Sequence, residues 1–169
     1  MTRYVFVDVE AAAGPSPFSG VMTEFGAVDF TTRETFHGVL RSAHLDPPDS
    51  GHYVLDDAFP PHDLGTVMAE FSRWLRALGD SRLVMVSDNP AFDFMWIADG
   101  FDRAGLPNPL GYSARRIGDL HAGLSGNWLD TNGWKALGST THDHNPVNDA
   151  LRNAEAFEEL LAAHGQRLP

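Results

Sequence analysis

The N-terminal segment RYVFVDV, residues 3–9, reads as a buried β-strand, and one carboxylate lies within it and a second directly after it. Asp8 and Glu10 stand two positions apart, so a strand places both on one face while Val9 points to the other. A strand this apolar is typical of the centre of a sheet, where two unpaired carboxylates are costly without cations. The pair therefore indicates a central strand with a metal-binding face, although a strand with one solvent-exposed face would also explain it.

Two later segments share the pattern Asn-Pro-x-x-Asp, at residues 89–93 and 145–149. Asparagine is a favoured N-cap and proline a favoured first helical residue, so Asp93 and Asp149 should each lie about one turn inside a helix. Helical side chains lean toward the N-terminus, where the helix dipole favours the ionised carboxylate that a metal requires. Either aspartate taken alone could equally be a helix-start acid favoured only by that dipole.

A histidine precedes the second of these helix starts, because His144 stands five positions before Asp149. The same spacing occurs in two further pairs, His44 with Asp49 and His52 with Asp57. Both of these fall in a proline-rich stretch without a helix start, so we interpret them as surface pairs. His142 is an alternative to His144 for the same role. His142 and Asp143 could also belong to a separate zinc site, but the sequence has no two further ligands at suitable spacing.

The amino-acid composition limits which binding partners and which cellular location we expect for this chain. The 169 residues contain 12 basic and 23 acidic side chains, and the net charge of −11 argues against a broad basic surface for long nucleic acids. Two divalent cations would reduce that charge to about −7, which suits a short oligomer held mainly at the metals. The chain has no cysteine, which excludes disulfides and thiolate chemistry and fits a cytoplasmic location. It also lacks an apolar run of membrane-spanning length or a signal-peptide core, and its length predicts one domain over residues 1–169.

The apolar pattern predicts an alternation of strands and helices. Strands are expected at 3–9 and 82–86, with a further short strand at 114–117, and a hairpin is expected from 21–30 and 35–41. Helices are expected at 63–78, 90–103 and 146–164. The stretch 42–61, rich in proline, aspartate, glycine and histidine, is predicted to be a surface loop.

Taken in order, YVFVDVE, LVMVSDNPAFDFMWI and HDHNPVNDA resemble the DEDDh branch of the proofreading-exonuclease superfamily, which includes RNase T and oligoribonuclease. The resemblance spans residues 4 to about 157 and implies an α/β, ribonuclease H-like fold with a five-stranded mixed sheet flanked by helices. It implies that two Mg²⁺ or Mn²⁺ ions are bound by four carboxylates, those of Asp8, Glu10, Asp93 and Asp149.

The same resemblance implies a reaction, in which His144 is the general base of a two-metal mechanism. The expected activity is 3′-to-5′ exonucleolytic hydrolysis of short single-stranded RNA or DNA with a free 3′ end, releasing nucleoside 5′-monophosphates, with an exoribonuclease favoured. An imidazole with its unperturbed pKa near 6.5 could deprotonate a metal-bound water at neutral pH. Relatives of this size are often homodimers, so a homodimer is a further expectation.

The chain departs from the family pattern at two positions. Family members commonly carry a threonine after the first acidic pair, where this chain has Ala11, and often a histidine before the first asparagine, where it has Asp88. Asp88 is predicted to cap the following helix rather than to add a metal ligand. Aromatic residues on helix and strand faces are more often core residues than base contacts. Five of them could nevertheless stack on bases, with the last two the better candidates: Phe25, Phe92, Trp96, Trp128 and Trp134.

Two other functions are compatible with these residues. A phosphodiesterase for small nucleotide-like substrates would also fit the acidic surface, and comparing dinucleotides with longer oligomers separates it from an exonuclease. A non-catalytic ribonuclease H-like binding module is the alternative from a different class, although such a module has no need to confine four carboxylates together.

Overall fold

The central feature of the computed structural model is a mixed five-stranded sheet. The structure describes residues 2–41, 43–45, 53–55 and 63–166. The five strands are β1 (Thr2–Ala12), β2 (Val21–Asp29), β3 (Thr35–Val39), β6 (Arg82–Ser87) and β7 (Ala114–Arg116), and they lie in the order β3-β2-β1-β6-β7. β1 pairs antiparallel with β2 and parallel with β6, so the strand that carries Asp8 and Glu10 is central, as its apolar sequence predicts.

Four α-helices of the described part of the chain flank this sheet. They are α1 (Leu64–Ala77), α2 (Pro90–Arg103), α3 (Ile117–Ser125) and α4 (Pro146–Ala163), and a short 3₁₀ helix, Gly133–Leu137, precedes α4. The predicted helices at 63–78, 90–103 and 146–164 are thereby confirmed to within a residue or two at each end. No helix among the described residues is long and apolar enough to cross a bilayer.

The period-two alternation of β1 divides the core into two layers. Val5, Val7 and Val9 pack with α1 and α2 on one face of the sheet. Phe6 packs on the other face with α4, against Phe157 and its neighbours. Because Asp8 and Glu10 follow Phe6 at even positions, the same alternation turns them toward the α4 side of the sheet.

Within the predicted surface loop at 42–61, the structure describes only residues 43–45 and 53–55. Two short strands within it, β4 (Ala43–Leu45) and β5 (Tyr53–Leu55), pair antiparallel as a separate two-stranded sheet. Loop composition masked them because each strand is only three residues long, too short for a periodic signal. The proposed surface pairs of His44 with Asp49 and His52 with Asp57 lie outside the residues whose side chains are described.

Candidate active site

Asp8 and Glu10 lie near the end of β1, on the face of the sheet toward α4. Asp8 pairs with Gly26 of β2 across the sheet, and Glu10 pairs with Glu24. The register between the two strands shifts directly after Glu10, because β2 contains one extra residue there. Regular pairing between β1 and β2 therefore stops at the acidic pair, and side chains at such a position can reach a ligand.

The start of α4 brings Asp149 to this acidic pair. Asn145 caps the helix by accepting backbone N–H bonds from Val147 and Asn148, and Pro146 begins it, as the Asn-Pro pattern predicts. Asp149 follows in the first turn and is 5% exposed. Carboxylate oxygens of Asp8, Glu10 and Asp149 all lie within 4.8 Å of one another, although more than 130 residues separate the first two from the third.

Gly26 allows the helix to approach the sheet this closely. A Cβ atom at this position would lie 2.2 Å from the carbonyl carbon of Pro146, a distance that no side chain can occupy. Sequence reasoning missed this residue, although a glycine inside a predicted strand is a known sign of close backbone approach. Gly26 is thus the contact point that sets the distance between α4 and the strand carrying Asp8.

Asp93 reaches the site from the opposite side of β1. It lies in the first turn of α2, is 4% exposed, and its Oδ1 accepts a hydrogen bond of 3.2 Å from the backbone N–H of Val9. Among the described residues, two groups have potential metal-binding atoms that all lie within 4.8 Å of one another, and Asp93 is in neither group. The hydrogen bond to Val9 places it beside the acidic pair, with its carboxylate anchored to the strand between Asp8 and Glu10.

The electrostatics of this cluster are strongly unfavourable to negative charge. Burial raises the pKa of Asp8 well above its ordinary value, and the charges of Asp93, Glu10, Asp149 and Asp88 raise that pKa further. Burial also raises the pKa of Asp93 to about 7, although backbone N–H groups of Val9 and Asn89 oppose the rise.

Several carboxylates held together at such a cost are the expected donor set of a divalent-cation site, because cations remove the repulsion. Asp149 Oδ1 is buried and accepts no hydrogen bond of good geometry from any described residue, although a histidine nitrogen, His142 Nδ1, lies 2.8 Å from it, and this leaves the oxygen able to bind a cation. On both grounds the residues fit Mg²⁺ or Mn²⁺, hard cations that prefer oxygen ligands.

Two histidines overhang the carboxylates from the segment before α4. His144, the histidine that the sequence favours, has a left-handed backbone at φ 58°, and its Nδ1 lies 3.9 Å from Glu10 Oε1. His142 lies nearer to a carboxylate, with its Nδ1 2.8 Å from Asp149 Oδ1. The two rings are neighbours, 4.6 Å apart between centroids. Both histidines therefore lie at the site, His144 beside Glu10 and His142 beside Asp149.

A cavity of about 90 Å³ opens beside the carboxylates, and its lining includes Asp8, Asp149 and His142. Lys135 and Asp88 also line it and form an ion pair, with Lys135 Nζ 2.5 Å from Asp88 Oδ2. Lys135 is a basic residue of the site that sequence reasoning missed, since the 3₁₀ helix carrying it gives no periodic signal. Together with Arg152, which also lines the cavity, Lys135 supplies positive charge beside the carboxylates.

Two expectations are wrong in detail. Asp88 does not cap α2: its carboxylate pairs with Lys135, and Asn89 occupies the N-cap position without a side-chain capping bond. Trp134 is 1% exposed and its indole N–H donates to the carbonyl of Thr131, so it is a core residue. Phe25 and Trp96 are buried as well, whereas Trp128 is 78% exposed and remains accessible to a base.

Comparison with solved structures places this geometry in a known fold. The nuclease domain of 3′hExo, a DEDDh family member bound to rAMP, has a TM-score of 0.61 at 13% identity, covering 99% of this chain and 96% of that one. Cell-death related nuclease 4 has a TM-score of 0.52 at 13% identity, covering 95% of this chain and 64% of that one. E. coli Exonuclease I in complex with a dA16 oligonucleotide has a TM-score of 0.54 at 14% identity, covering 96% of this chain and 41% of that one.

Sequence comparison adds no closer relative, since no family model matches the chain and no curated protein matches it. The chain spans nearly the whole 3′hExo nuclease domain but only about two fifths of the Exonuclease I chain. The mixed five-stranded sheet, its flanking helices and these neighbours together identify the architecture. The chain has the ribonuclease H-like fold of the DEDDh 3′-to-5′ exonucleases.

Proposed function

We propose that this chain is a metal-dependent 3′-to-5′ exonuclease that hydrolyses short single-stranded RNA or DNA to nucleoside 5′-monophosphates. One observation carries the proposal: carboxylates of Asp8, Glu10 and Asp149 come within 4.8 Å of one another in a fold shared with DEDDh exonucleases. A purely structural cluster would not need these charges, because their repulsion and burial destabilise the folded protein.

In this proposal Asp8, Glu10, Asp93 and Asp149 hold two divalent cations, Mg²⁺ or Mn²⁺. When bound, the ions supply a water of lowered pKa and compensate the charge that develops on the leaving 3′ oxygen. Asp93 is held toward β1 by the N–H of Val9, and Asp149 is held by the capped start of α4. Each ligand thus comes from an element whose position the core fixes, which keeps the cluster preorganised.

The proposed role of His144 is to accept the proton of the attacking water. Its Nδ1 lies 3.9 Å from Glu10 Oε1, so the ring stands beside the carboxylates without being buried among them, and its side chain is 34% exposed. A partly exposed imidazole can pass the proton on to solvent after each turnover. The left-handed backbone of His144 directs the chain into the turn that precedes α4.

The substrate class follows from charge and from the neighbouring structures. With a net charge of −11, the chain is a poor binder of long duplexes, and a short strand held at the metals suits it better. 3′hExo is bound to rAMP and Exonuclease I to a dA16 oligonucleotide, so neighbours of this fold accept a ribonucleotide or a single-stranded deoxyribonucleotide. Trp128, exposed near the 3₁₀ helix, is the aromatic residue that we assign to base stacking.

The decisive experiment uses matched RNA and DNA oligomers labelled at the 5′ end, with Mn²⁺, with Mg²⁺ and with a chelator. We expect stepwise shortening from the 3′ end, release of nucleoside 5′-monophosphates, and no reaction with the chelator. A 3′-phosphate on the same oligomers is the matched control and should block the reaction. Absence of monophosphates from both RNA and DNA would refute the proposal, whereas turnover of dinucleotides alone would favour the small-substrate phosphodiesterase.

A further inference from the structure

The position of His142 is unexplained by the proposed exonuclease reaction, which needs one histidine. His142 lies two residues before His144, and its side chain is 52% exposed at the mouth of the site. Its Nδ1 lies 2.8 Å from Asp149 Oδ1, closer than His144 Nδ1 lies to Glu10 Oε1. The segment before α4 thus presents two imidazoles to the carboxylates instead of one.

The three side chains form a second donor set beside the acidic one. One nitrogen each from His142 and His144 and one carboxylate oxygen of Asp149 all lie within 4.8 Å of one another. In a tetrahedral zinc site, with bonds of about 2.0 Å, neighbouring ligand atoms lie roughly 3.3 Å apart. The two imidazoles, 52% and 34% exposed, would have to rotate for the three atoms to reach these distances around one ion.

The chemistry of this set differs from that of the acidic cluster. Two imidazoles and one carboxylate suit Zn²⁺ and other late divalent transition metals, whereas Mg²⁺ prefers oxygen ligands alone. Asp149 is 5% exposed, and its Oδ1 accepts no hydrogen bond of good geometry from any described residue, although His142 Nδ1 lies 2.8 Å away. A zinc ion between these two atoms requires their direct contact to widen to roughly 3.3 Å, which a turn of the half-exposed His142 ring would provide.

We propose that His142, His144 and Asp149 form a binding site for one Zn²⁺ or similar transition-metal ion, with water in the remaining position. The site shares Asp149 with the acidic cluster and His144 with the proposed base. Zinc bound there therefore occupies the lone pair of His144 and withdraws an oxygen of Asp149. Its consequence for activity, which rests on the proposed exonuclease function, is inhibition by zinc in competition with Mg²⁺ or Mn²⁺.

Binding is tested first and without any substrate. The metal-free chain is titrated with Co²⁺, whose visible absorption bands report histidine ligation and tetrahedral geometry, and with Zn²⁺ by calorimetry. We expect one strong site per chain and, in His142→Asn, a loss of at least tenfold in affinity for both ions. His164→Asn is the matched control, because His164 caps the C-terminal end of α4, where its Nδ1 lies 2.9 Å from the carbonyl oxygen of Leu160. This variant should bind zinc as tightly as wild type. Equal zinc affinity in His142→Asn and wild type, with both folded by circular dichroism, overturns the proposal.

Inhibition is tested second. For each variant we measure the zinc concentration that reduces its Mn²⁺-dependent activity to half of the value without zinc. We expect His142→Asn to require at least tenfold more zinc than wild type and His164→Asn to match wild type. An identical zinc requirement in wild type and His142→Asn contradicts the inhibitory role. If the chain proves inactive on every oligomer yet binds Co²⁺ through His142, the zinc site stands and the exonuclease proposal fails.

Discussion

At the scale of single residues, Asp93 shows how the site opposes the stability of its own fold. Its burial raises the pKa to about 7, while an aspartate in an unfolded chain has a pKa of about 3.9. At a pH between about 4 and 7, Asp93 therefore holds a proton in the folded chain that it has already lost in the unfolded chain. Stability of the metal-free protein therefore falls as the pH rises from about 4 to 7.

Asp93→Asn should abolish this part of the pH dependence. We expect the variant to be more stable than wild type at pH 8 without metal, on the order of 2 kcal/mol or more, and similar to it at pH 4. Urea unfolding in the presence of a chelator measures the difference. Asp102→Asn, at an exposed position of the same helix, is the control and should follow wild type. An Asp93→Asn profile parallel to that of wild type would contradict the assignment.

His144 and Asp8 should fail in different ways, because one is assigned to the proton and the other to the metals. His144→Ala should lower turnover by roughly 10²- to 10⁴-fold while Mn²⁺ binding stays largely intact. Asp8→Ala should abolish both turnover and strong Mn²⁺ binding. Calorimetric titration with Mn²⁺ separates the two, and loss of Mn²⁺ binding in His144→Ala would contradict its role as base.

At the scale of secondary-structure elements, the contact between α4 and β2 decides the geometry of the site. Gly26→Ala places a methyl group where the backbone of Pro146 lies, so the start of α4 must move away from the sheet. We expect a loss of about 1–3 kcal/mol in stability and at least a tenfold loss in Mn²⁺ affinity, because Asp149 moves with the helix.

A second glycine provides the control for that substitution. Gly123 lies inside α3, and a Cβ there would meet nothing within 4 Å. Gly123→Ala should therefore leave Mn²⁺ affinity unchanged and stabilise the chain by up to about 1 kcal/mol. Denaturant unfolding and Mn²⁺ titration of both variants test the contact, and wild-type Mn²⁺ affinity in Gly26→Ala would show that the close approach has no part in the site.

At the scale of the whole molecule, one ion pair ties the start of β1 to the end of β2 and to the end of α1. Arg3 Nε lies 2.6 Å from Asp29 Oδ1, and the Arg3 guanidinium also donates to the carbonyl of Leu78. Asp29 is fully buried, and burial by itself would raise its pKa. Hydrogen bonds from Arg3 and Thr32 outweigh that effect and hold the pKa of Asp29 below its ordinary value.

Removing this pair should cost stability in a pH-dependent way. A lowered folded pKa means that the pair stabilises the protein above the unfolded pKa of about 3.9, and that this contribution is lost as the pH falls through the folded pKa. Arg3→Met should therefore cost about 3–5 kcal/mol at pH 7 and clearly less at pH 3. Arg103→Met, which breaks an exposed pair with Asp99 on α2, should cost less than about 1 kcal/mol at pH 7. An equal loss in Arg3→Met at both pH values would contradict the ion-pair explanation.

Sequence patterns predict those parts of this protein that depend on neighbours along the chain. Strand periodicity put Asp8 and Glu10 on one face of β1, and the two Asn-Pro pairs marked where α2 and α4 begin. These signals are local, because a strand repeats every two residues and a helix start involves about four. The fold class was expected from the resemblance of three sequence motifs to the DEDDh branch, and the structure confirms it.

How these elements meet depends on contacts that become visible in the folded structure. It placed His142 against Asp149, paired Asp88 with Lys135 and buried Trp134, none of which a local pattern encodes. Each of these contacts joins residues from different elements, and its distance is set by how closely helix and sheet can pack. At this site that distance is governed by a position without a side chain, Gly26, which lets α4 carry its aspartate to the central strand.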